Sequence, residues 1–117
     1  MNNTELAKAL FEALAVGDVD TVRSLCTPDC QARQNNGPAM DLEALLSLAQ
    51  SALRGIKDFR YEDIVRSETE SGFVEEHSAR GTLPDGSELD LAVCVVADVR
   101  DGAISDIREY VANRNTA

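Results

Sequence analysis

The apolar positions near the N terminus recur with the spacing of an amphipathic helix. Between residues 3 and 16 they fall at i, i+3 and i+4, on Leu6, Ala9, Leu10, Ala13 and Leu14. Asn2 followed by Glu5 three residues later is the pattern of a capping box, and Gly17 suits the residue after a helix. The sequence therefore predicts a first helix over residues 3–16.

Two further helices are predicted, separated by a short polar segment. Asp18 caps a helix that must end before Pro28, because the residue before a proline avoids helical geometry. Residues 30–35 predict a short strand. A third helix is predicted from Asp41 to about residue 54, with Gly55 at its end. Its apolar side consists of Leu42, Leu45, Leu46, Ala49 and Leu53.

The second half of the chain has the pattern of consecutive strands. From residue 73 to residue 111, three runs of β-branched, apolar and charged residues are separated by the turn sequences Pro84-Asp85-Gly86 and Arg100-Asp101-Gly102. A further run, residues 59–67, precedes them. Helices followed by a meander of strands predict an α+β fold, and 117 residues suit a single domain that spans residues 1–117.

The run from residue 89 to residue 99 is apolar on both faces. Alternation places Leu89, Leu91, Val93, Val95 and Ala97 on one face and Ala92, Cys94 and Val96 on the other. A strand of this kind is covered on both sides. The helices can cover only one, so we expect a second copy of the chain to cover the other, in a homodimer. The alternative is that the small Ala92 and Cys94 tolerate partial exposure.

The net charge of −10 excludes two classes of partner. Nucleic acids and anionic membrane surfaces both reward clusters of Lys and Arg, so we expect neither. No apolar run approaches the length of a membrane-spanning helix, and the N terminus lacks the pattern of a signal peptide. We therefore expect a soluble, cytoplasmic protein.

The cysteines do not predict a metal site. Cys26 and Cys30 have no histidine near them in the sequence, since His77 is the one histidine of the chain, and Cys94 stands alone. We expect three buried thiols in a reducing compartment. The sequence has no Gly-rich phosphate loop, nucleophile–base motif or redox ligand set, so no cofactor is expected.

Two longer stretches resemble a known family. They are ALAVGDVDTVRSLCTPDC (residues 13–30) and GTLPDGSELDLAVCVVADVRDGAISDIREYV (residues 81–111), and they resemble the SnoaL-like branch of the nuclear transport factor 2-like superfamily. The resemblance implies three N-terminal helices packed on a curved, mostly antiparallel sheet that forms a cone with an interior pocket. It also implies a dimer, and a small apolar or weakly polar organic ligand in the pocket.

The resemblance further implies which strand positions face the pocket. On the last two strands the inward set is Leu91, Val93, Val95, Ala97, Ser105, Ile107, Glu109 and Val111. On the strand before them the inward set is Glu76, Ser78 and Arg80. The outward set of that strand is Glu75, His77 and Ala79, which gives His77 a surface or interface role. A shift of one residue or a bulge would reverse this assignment.

Two related enzyme types rely on groups that this chain mostly lacks. Relatives similar to steroid isomerases place proton-transfer groups where this sequence has Leu10, Gln34 and Val95. Relatives similar to limonene-epoxide hydrolase activate water with several polar groups, of which only the acid on the last strand, Glu109, is kept in kind. These departures count against both reactions.

The expected function is the binding of a small molecule in an apolar pocket, with the specific activity unassigned. The expected lining is Leu10, Leu14, Gln34, Ser78, Leu91, Val93, Val95, Ile107 and Val111. Glu76, Arg80 and Glu109 would converge on this pocket. A second hypothesis is a cofactor-independent isomerase, cyclase or lyase with Glu109 as general acid or base and Arg80 as its partner. Two more hypotheses are an ion pair with only a structural role, and an outer sheet face that serves assembly with another protein.

Overall fold

Three helices and six strands make up the fold, and the computed structural model describes residues 1–115. In chain order they are α1 (Asn3–Val16), α2 (Val19–Leu25), β1 (Cys26–Gln34), β2 (Met40–Asp41), α3 (Leu42–Gly55), β3 (Lys57–Glu68), β4 (Gly72–Thr82), β5 (Glu88–Arg100) and β6 (Ala103–Asn113). The three predicted helices and the four long strands after them are confirmed.

All six strands form one sheet, in the order β2-β1-β6-β5-β4-β3. Neighbouring strands are antiparallel except β1 and β6, which run parallel. β1 begins at Cys26, earlier than the predicted residue 30, because the register irregularity between Cys26 and Gln31 admits Pro28 into the strand. The sequence did not predict β2, since two residues are too few to show a periodic pattern.

The helix ends form as the sequence predicts. The Asn2 side chain accepts the Glu5 backbone N–H at 2.8 Å, and the Glu5 carboxylate accepts the Asn2 backbone N–H at 3.0 Å. Gly17 follows α1 with a φ of 73°, in the left-handed region. The side chains of Asp18 and Asp41 each accept a backbone N–H in the first turn of the next helix.

The helices cover one face of the sheet, and the core lies between the two layers. α1 packs on β3 and β4, and α3 packs on β1 and β3. Buried residues of this core include Leu6, Leu10, Phe11, Phe73, Val95, Ala97, Ile104 and Ile107. The arrangement confirms the predicted α+β cone. Over residues 1–115, the helices are too short or too polar to cross a lipid bilayer.

The predicted orientation of β4 was wrong by one residue. In the antiparallel register Glu75 pairs with Val95, and His77 pairs with Val93. Paired residues project to the same face of a sheet, so Glu75 and His77 lie on the helix-covered side. The residues of β4 that project to the outer face are Glu76, Ser78 and Arg80.

One position on β6 also differs from the prediction. Ser105 was expected to face the pocket, but the β5–β6 register shifts beside Asp98, and Ile104 is fully buried instead. The Ser105 hydroxyl donates to the Asp98 carbonyl oxygen at 3.3 Å. Beyond this irregularity Ile107 is buried in the core and Glu109 lies on the same face, as expected.

Candidate functional site

A cavity of about 220 Å³ lies between α3 and the concave face of the sheet. Its polar lining consists of Gln34, Tyr61, His77 and Glu109. The rest of the wall is aliphatic or aromatic and includes Leu14, Leu53, Ile56, Phe59, Leu91, Val93 and Val111. An apolar cavity with a few converging polar groups is the usual form of a small-molecule site.

A buried carboxylate contacts His77 on the side away from the cavity, and an arginine holds that carboxylate in turn. Glu75 Oε2 lies 2.6 Å from His77 Nδ1, and Glu75 Oε1 accepts from Arg66 Nε at 2.6 Å. The Glu75 side chain has no exposed surface, and that of His77 is 1 % exposed. An ionised carboxylate only accepts hydrogen bonds, so Nδ1 carries the proton and Nε2 is the basic nitrogen. No residue in the described part of the chain hydrogen-bonds to Nε2.

Aromatic rings fix the imidazole in the cavity wall. Its centroid lies 4.9 Å from that of Phe11, edge to face, and 4.3 Å from that of Tyr61 in a tilted arrangement. Phe59 meets Tyr61 edge to face at 5.2 Å. Each such pair contributes about 1 kcal/mol beyond the burial of its area, so the rings restrict the orientations that His77 can adopt.

Tyr61 is the hydroxyl donor of the cavity. Burial raises the pKa of its phenol above the ordinary value of 10.0, and the negative charges of Glu109 and Glu75 raise this pKa further. The phenol therefore stays protonated at neutral pH and can donate a hydrogen bond to a ligand oxygen.

Glu109 lies on the other side of the cavity, on β6. Its Oε1 accepts from Gln34 Nε2 at 2.8 Å, and the two residues are direct partners in the parallel β1–β6 register. Oε2 accepts from no residue within 1–115. The amide therefore fixes the carboxylate through one oxygen and leaves the other oxygen for a ligand.

The sheet register sets the gap between the two potential proton-transfer groups. Val95 pairs with Glu75 on one side and with Glu109 on the other, so these acids lie two strand spacings apart, about 10 Å between Cα atoms. His77 lies one inward position further along β4, beside Val93. A ligand placed over Val93 would therefore lie between His77 and Glu109.

A smaller space of about 50 Å³, which we call the side chamber, adjoins the cavity at Glu109. The two spaces share Leu14, Gln34, Leu45, Leu48 and Glu109. The side chamber's own wall consists of Leu10, Phe11, Ala32, Met40, Val95 and Ile107, with the exposed Arg33 at its border. It is therefore an apolar extension of the cavity behind the Gln34–Glu109 pair.

The residues predicted to line the pocket divide between these two spaces, with one exception. The cavity has Leu14, Gln34, Leu91, Val93 and Val111, and the side chamber has Leu10, Val95 and Ile107. The exception is Ser78, whose hydroxyl donates to Asp63 at 3.0 Å on the outer face. Contact of the other residues with a ligand stays a prediction.

The predicted convergence of Glu76 and Arg80 with Glu109 was wrong. Glu76 is exposed, and Arg80 forms ion pairs on the outer face with Asp63 at 2.8 Å and with Asp90 at 3.3 Å. The hydrogen bond from Arg80 lowers the pKa of Asp63. The reason is the β4 register, which places Glu76 and Arg80 on the side of the sheet opposite the cavity.

Sequence reasoning missed Glu75, Tyr61 and the inward position of His77. β4 carries polar residues on both faces, so the alternation of its residues does not show which face is buried. One signal was available: Phe73 and Ala79 share the parity of His77, and their exposed fractions are 0 % and 5 %. The large ring of Phe73 marks that parity as the core side.

Metal and thiol chemistry find little support in the geometry. Within residues 1–115, no three or more His, Cys, Asp or Glu side chains are grouped so as to hold a metal ion. Cys26 and Cys30 are buried free thiols, and Cys94 is a half-buried one, which corrects the expectation that all three are buried. A hydrogen bond with Cys30, together with burial, raises the pKa of the Cys26 thiol, so Cys26 is not a ready nucleophile.

The fold and the cavity define an α+β cone protein of the nuclear transport factor 2-like class, with an internal space of ligand size. The chain belongs to the SnoaL-like domain family, which it matches over residues 7–107. This match confirms the resemblance drawn from the sequence. No curated protein sequence matches the chain.

Solved structures share the fold over nearly the whole chain. A candidate polyketide cyclase from Xanthomonas campestris pv. campestris is 25% identical with a TM-score of 0.81, over 92% of this chain and 88% of that one. IdmH, a candidate polyketide cyclase from Streptomyces antibioticus, is 24% identical with a TM-score of 0.81, over 98% and 94% of the two chains. A protein with a ketosteroid isomerase-like fold from Catenulispora acidiphila, in complex with trimethylamine, is 12% identical with a TM-score of 0.79, over 93% and 86%. The family match and the Xanthomonas structure support a small-molecule-binding SnoaL-like protein of unassigned specific activity.

Proposed function

We propose that the protein binds a small carbonyl compound in the cavity and moves a proton on it without a cofactor, as an isomerase or a cyclase. The observation that carries this proposal is the Glu75–His77 pair, 2.6 Å apart, at the wall of an otherwise largely apolar cavity. Buried titratable groups beside a cavity are typical of active sites, because burying them without a use is unfavourable. The candidate polyketide cyclase from Xanthomonas supports the same reaction class.

His77 acts as the base in this proposal. Its Nε2 removes a proton from the carbon next to the ligand carbonyl. The electron pair of that C–H bond forms a C=C bond to the carbonyl carbon, and the π pair of the C=O bond moves to the oxygen. Glu75 stabilises the imidazolium that forms, and the Tyr61 hydroxyl donates to the enolate oxygen. In an isomerisation, the ligand carries a C=C bond beside the carbon that loses the proton, so the charge is delocalised over a dienolate. The proton then returns at the far carbon of that bond, and the C=C bond moves into conjugation with the carbonyl. In a cyclisation, it attacks a second carbonyl carbon of the same molecule, and the new alkoxide takes the proton from His77.

Glu109 is the second proton-transfer group of the proposed site. Gln34 holds one of its oxygens at 2.8 Å, which leaves the other to accept a hydrogen bond from a ligand hydroxyl or to take a proton. Because Val93 and Val95 separate it from β4, Glu109 acts on a different atom of the ligand from the one that His77 contacts.

Binding without turnover is the second candidate function. It is favoured by Leu10, Gln34 and Val95, which stand where similar steroid isomerases carry proton-transfer groups. Leu10 and Val95 belong to the apolar wall of the side chamber, where neither can transfer a proton. In this candidate function, His77 and Glu109 only hydrogen-bond the ligand.

Exchange of the α-hydrogens of a ketone with D₂O separates the two candidates. The probe is β-tetralone, a two-ring uncharged ketone, followed by proton NMR. We expect the protein to accelerate exchange and His77→Gln to reduce that acceleration by about a hundredfold or more. Glu76→Gln, one residue away on the outer face, is the matched control and leaves the rate unchanged. If β-tetralone binds and exchange is not accelerated, the catalytic proposal is wrong and the binding role stands.

We also propose a cytoplasmic homodimer that forms through the outer face of the sheet. On that face Val74 pairs with Val96, and Cys94 pairs with Tyr110, so half-exposed apolar side chains run across three strands. Ion-pair clusters around Arg80 and Arg108 border this strip on both sides. A face that presents both charges and an apolar centre is self-complementary about a twofold axis.

The mass in solution, measured as a function of concentration, tests the dimer. We expect twice the chain mass for the wild type and a monomer for Val96→Lys, which places a charge at the centre of the apolar strip. Val16→Lys, at the exposed end of α1, is the matched control and leaves the dimer intact. A wild-type protein that is monomeric at every concentration would contradict the proposal.

A further inference from the structure

The side chamber makes the cavity asymmetric at the point where Glu109 lies. Its volume of about 50 Å³ exceeds the space of a single water and is bounded by Leu10, Phe11, Ala32, Val95 and Ile107 on its apolar sides. Because it shares Gln34 and Glu109 with the cavity, a ligand group in the side chamber lies beside the carboxylate. The chamber has room for a methyl or an ethyl group and not for a ring.

The main cavity limits the body of the ligand to about two rings. An apolar cavity of about 150 Å³ in another protein holds benzene, and such cavities exclude water when their walls are apolar. The cavity of about 220 Å³ is larger by roughly one half, which suits a fused two-ring skeleton. A four-ring skeleton exceeds it.

The charges around the cavity select against anions. Glu109 is its one ionisable acid, Lys and Arg are missing from its described lining, and the Glu75 charge behind His77 is already matched by Arg66. Among the described residues that line the side chamber, Arg33 is the one cation; it is exposed and donates to the Gly37 carbonyl oxygen at 3.3 Å. A ligand carboxylate about 5 Å from Glu109 would bind more weakly on the order of a hundredfold, for an effective dielectric constant of about 20.

We infer that the ligand is a compact, uncharged ketone of one or two rings, with a short alkyl branch that lies in the side chamber beside Glu109. This inference rests on the proposed function, since it assumes that the carbonyl group faces His77 and Tyr61. The inferred ligand class excludes four-ring compounds and acyl groups that are tethered to anionic carriers. The alkyl branch sets the orientation of the ring skeleton between His77 and Glu109. The side chamber is therefore a site that determines ligand specificity.

Three ligand comparisons test the inference by calorimetry. The probes are β-tetralone, its derivative with a methyl group on the benzylic carbon next to the carbonyl, its ring carboxylic acid, and the four-ring ketone progesterone. We expect the methyl derivative to bind about fourfold more tightly than β-tetralone, which is the effect of burying one methyl group. We expect the carboxylic acid and progesterone to bind at least tenfold more weakly. A carboxylic acid or progesterone that binds as tightly as β-tetralone overturns the inference.

Two alanines on different walls provide matched variants. Ala32→Val fills the side chamber, so the preference for the methyl derivative disappears while β-tetralone binds within twofold of the wild type. Ala79→Val narrows the main cavity and weakens both ketones to the same extent. Ile107→Val enlarges the side chamber and shifts the preference toward an ethyl branch, which keeps the test valid if Ala32→Val fails to fold. A methyl preference that survives Ala32→Val, or no shift in Ile107→Val, contradicts the assignment.

The result that would contradict the inferred ligand class differs from the result that would contradict the proposed proton transfer. If Ala32→Val removes the methyl preference but His77→Gln exchanges β-tetralone as fast as the wild type, the ligand class stands and the proton-transfer proposal is wrong. If exchange depends on His77 but the methyl and charge preferences are missing, the proposed function stands and the inference about the ligand is wrong.

Discussion

Glu75 and His77 lie two residues apart on β4, and their side chains meet in the protein interior with Nδ1 2.6 Å from Oε2. Side chains two apart on a strand project to the same face, so the backbone of β4 already places them together. Arg66 on β3 completes the arrangement from the next strand, also at 2.6 Å. The imidazole is thereby held in one tautomer, with its free nitrogen left for the cavity.

Replacing Glu75 tests whether this pair is buried. Glu75→Gln removes a fully buried charge that pairs with the partly exposed Arg66 and contacts the buried His77, so the free energy of unfolding should fall by about 3 kcal/mol. Glu76→Gln changes the exposed neighbouring residue and should alter the free energy of unfolding by less than about 0.5 kcal/mol. Urea unfolding of the two variants makes the comparison. Equal effects would contradict the pairing of Glu75 with Val95 that sets the β4 register.

The phenol of Tyr61 predicts a loss of stability in alkaline solution. Its pKa is raised in the folded state by burial and by the charges of Glu109 and Glu75, so the unfolded chain loses this proton first. The stabilisation is fully present below the ordinary phenol value of 10.0 and is lost as pH rises from there toward the folded-state value. Tyr61→Phe should remove the part of the fall in unfolding free energy above pH 10 that the phenol causes.

Denaturant unfolding at a series of pH values measures that effect. Above pH 10 the stability of the wild type should fall more steeply than that of Tyr61→Phe, and below it the two curves should run parallel. Tyr110→Phe, which changes the exposed tyrosine of β6, serves as the control. A wild-type curve parallel to that of Tyr61→Phe at all pH values would show that the phenol is not shielded from water.

A side chain at Gly72, the first residue of β4, would disturb the β4–β5 register. A Cβ atom there would overlap the carbonyl group of Ala97 on β5, so the backbone of one strand would have to move. Gly72→Ala should therefore lower the free energy of unfolding by about 2 kcal/mol. Gly55→Ala, at the end of α3 with open space around it, should instead raise it by about 0.5 kcal/mol. Thermal or urea unfolding distinguishes the two signs.

The parts of the fold that could be predicted are those set by neighbours in sequence. The capping residues Asn2, Asp18 and Asp41 act within one helical turn, so each helix start can be identified from a few adjacent residues. The apolar run of β5 likewise shows its central position without reference to other strands. The family resemblance added the curvature of the sheet and the presence of a pocket.

The candidate site could be predicted only in part, because it depends on strand registers. Glu109 and Gln34 lie in the cavity wall, and it was the family resemblance that pointed to these two positions. The orientation of β4 depends on its pairing with β5, where Glu75 meets Val95, and no local pattern in β4 encodes this pairing. The contact of Tyr61 with His77 depends on the β3–β4 register, in which Tyr61 pairs with Ala79, and the sequence of neither strand encodes that pairing.

The ring nitrogens of His77 provide the most direct test of the proposed site. His77 is the one histidine of the chain, so nitrogen–proton correlation NMR should show a single imidazole spin system. We expect a slowly exchanging proton on Nδ1, present in the wild type and in Glu76→Gln and lost in Glu75→Gln. A ring proton on Nε2, or one that exchanges freely with water and ignores Glu75→Gln, would contradict the buried Glu75–His77 pair and the active site proposed from it.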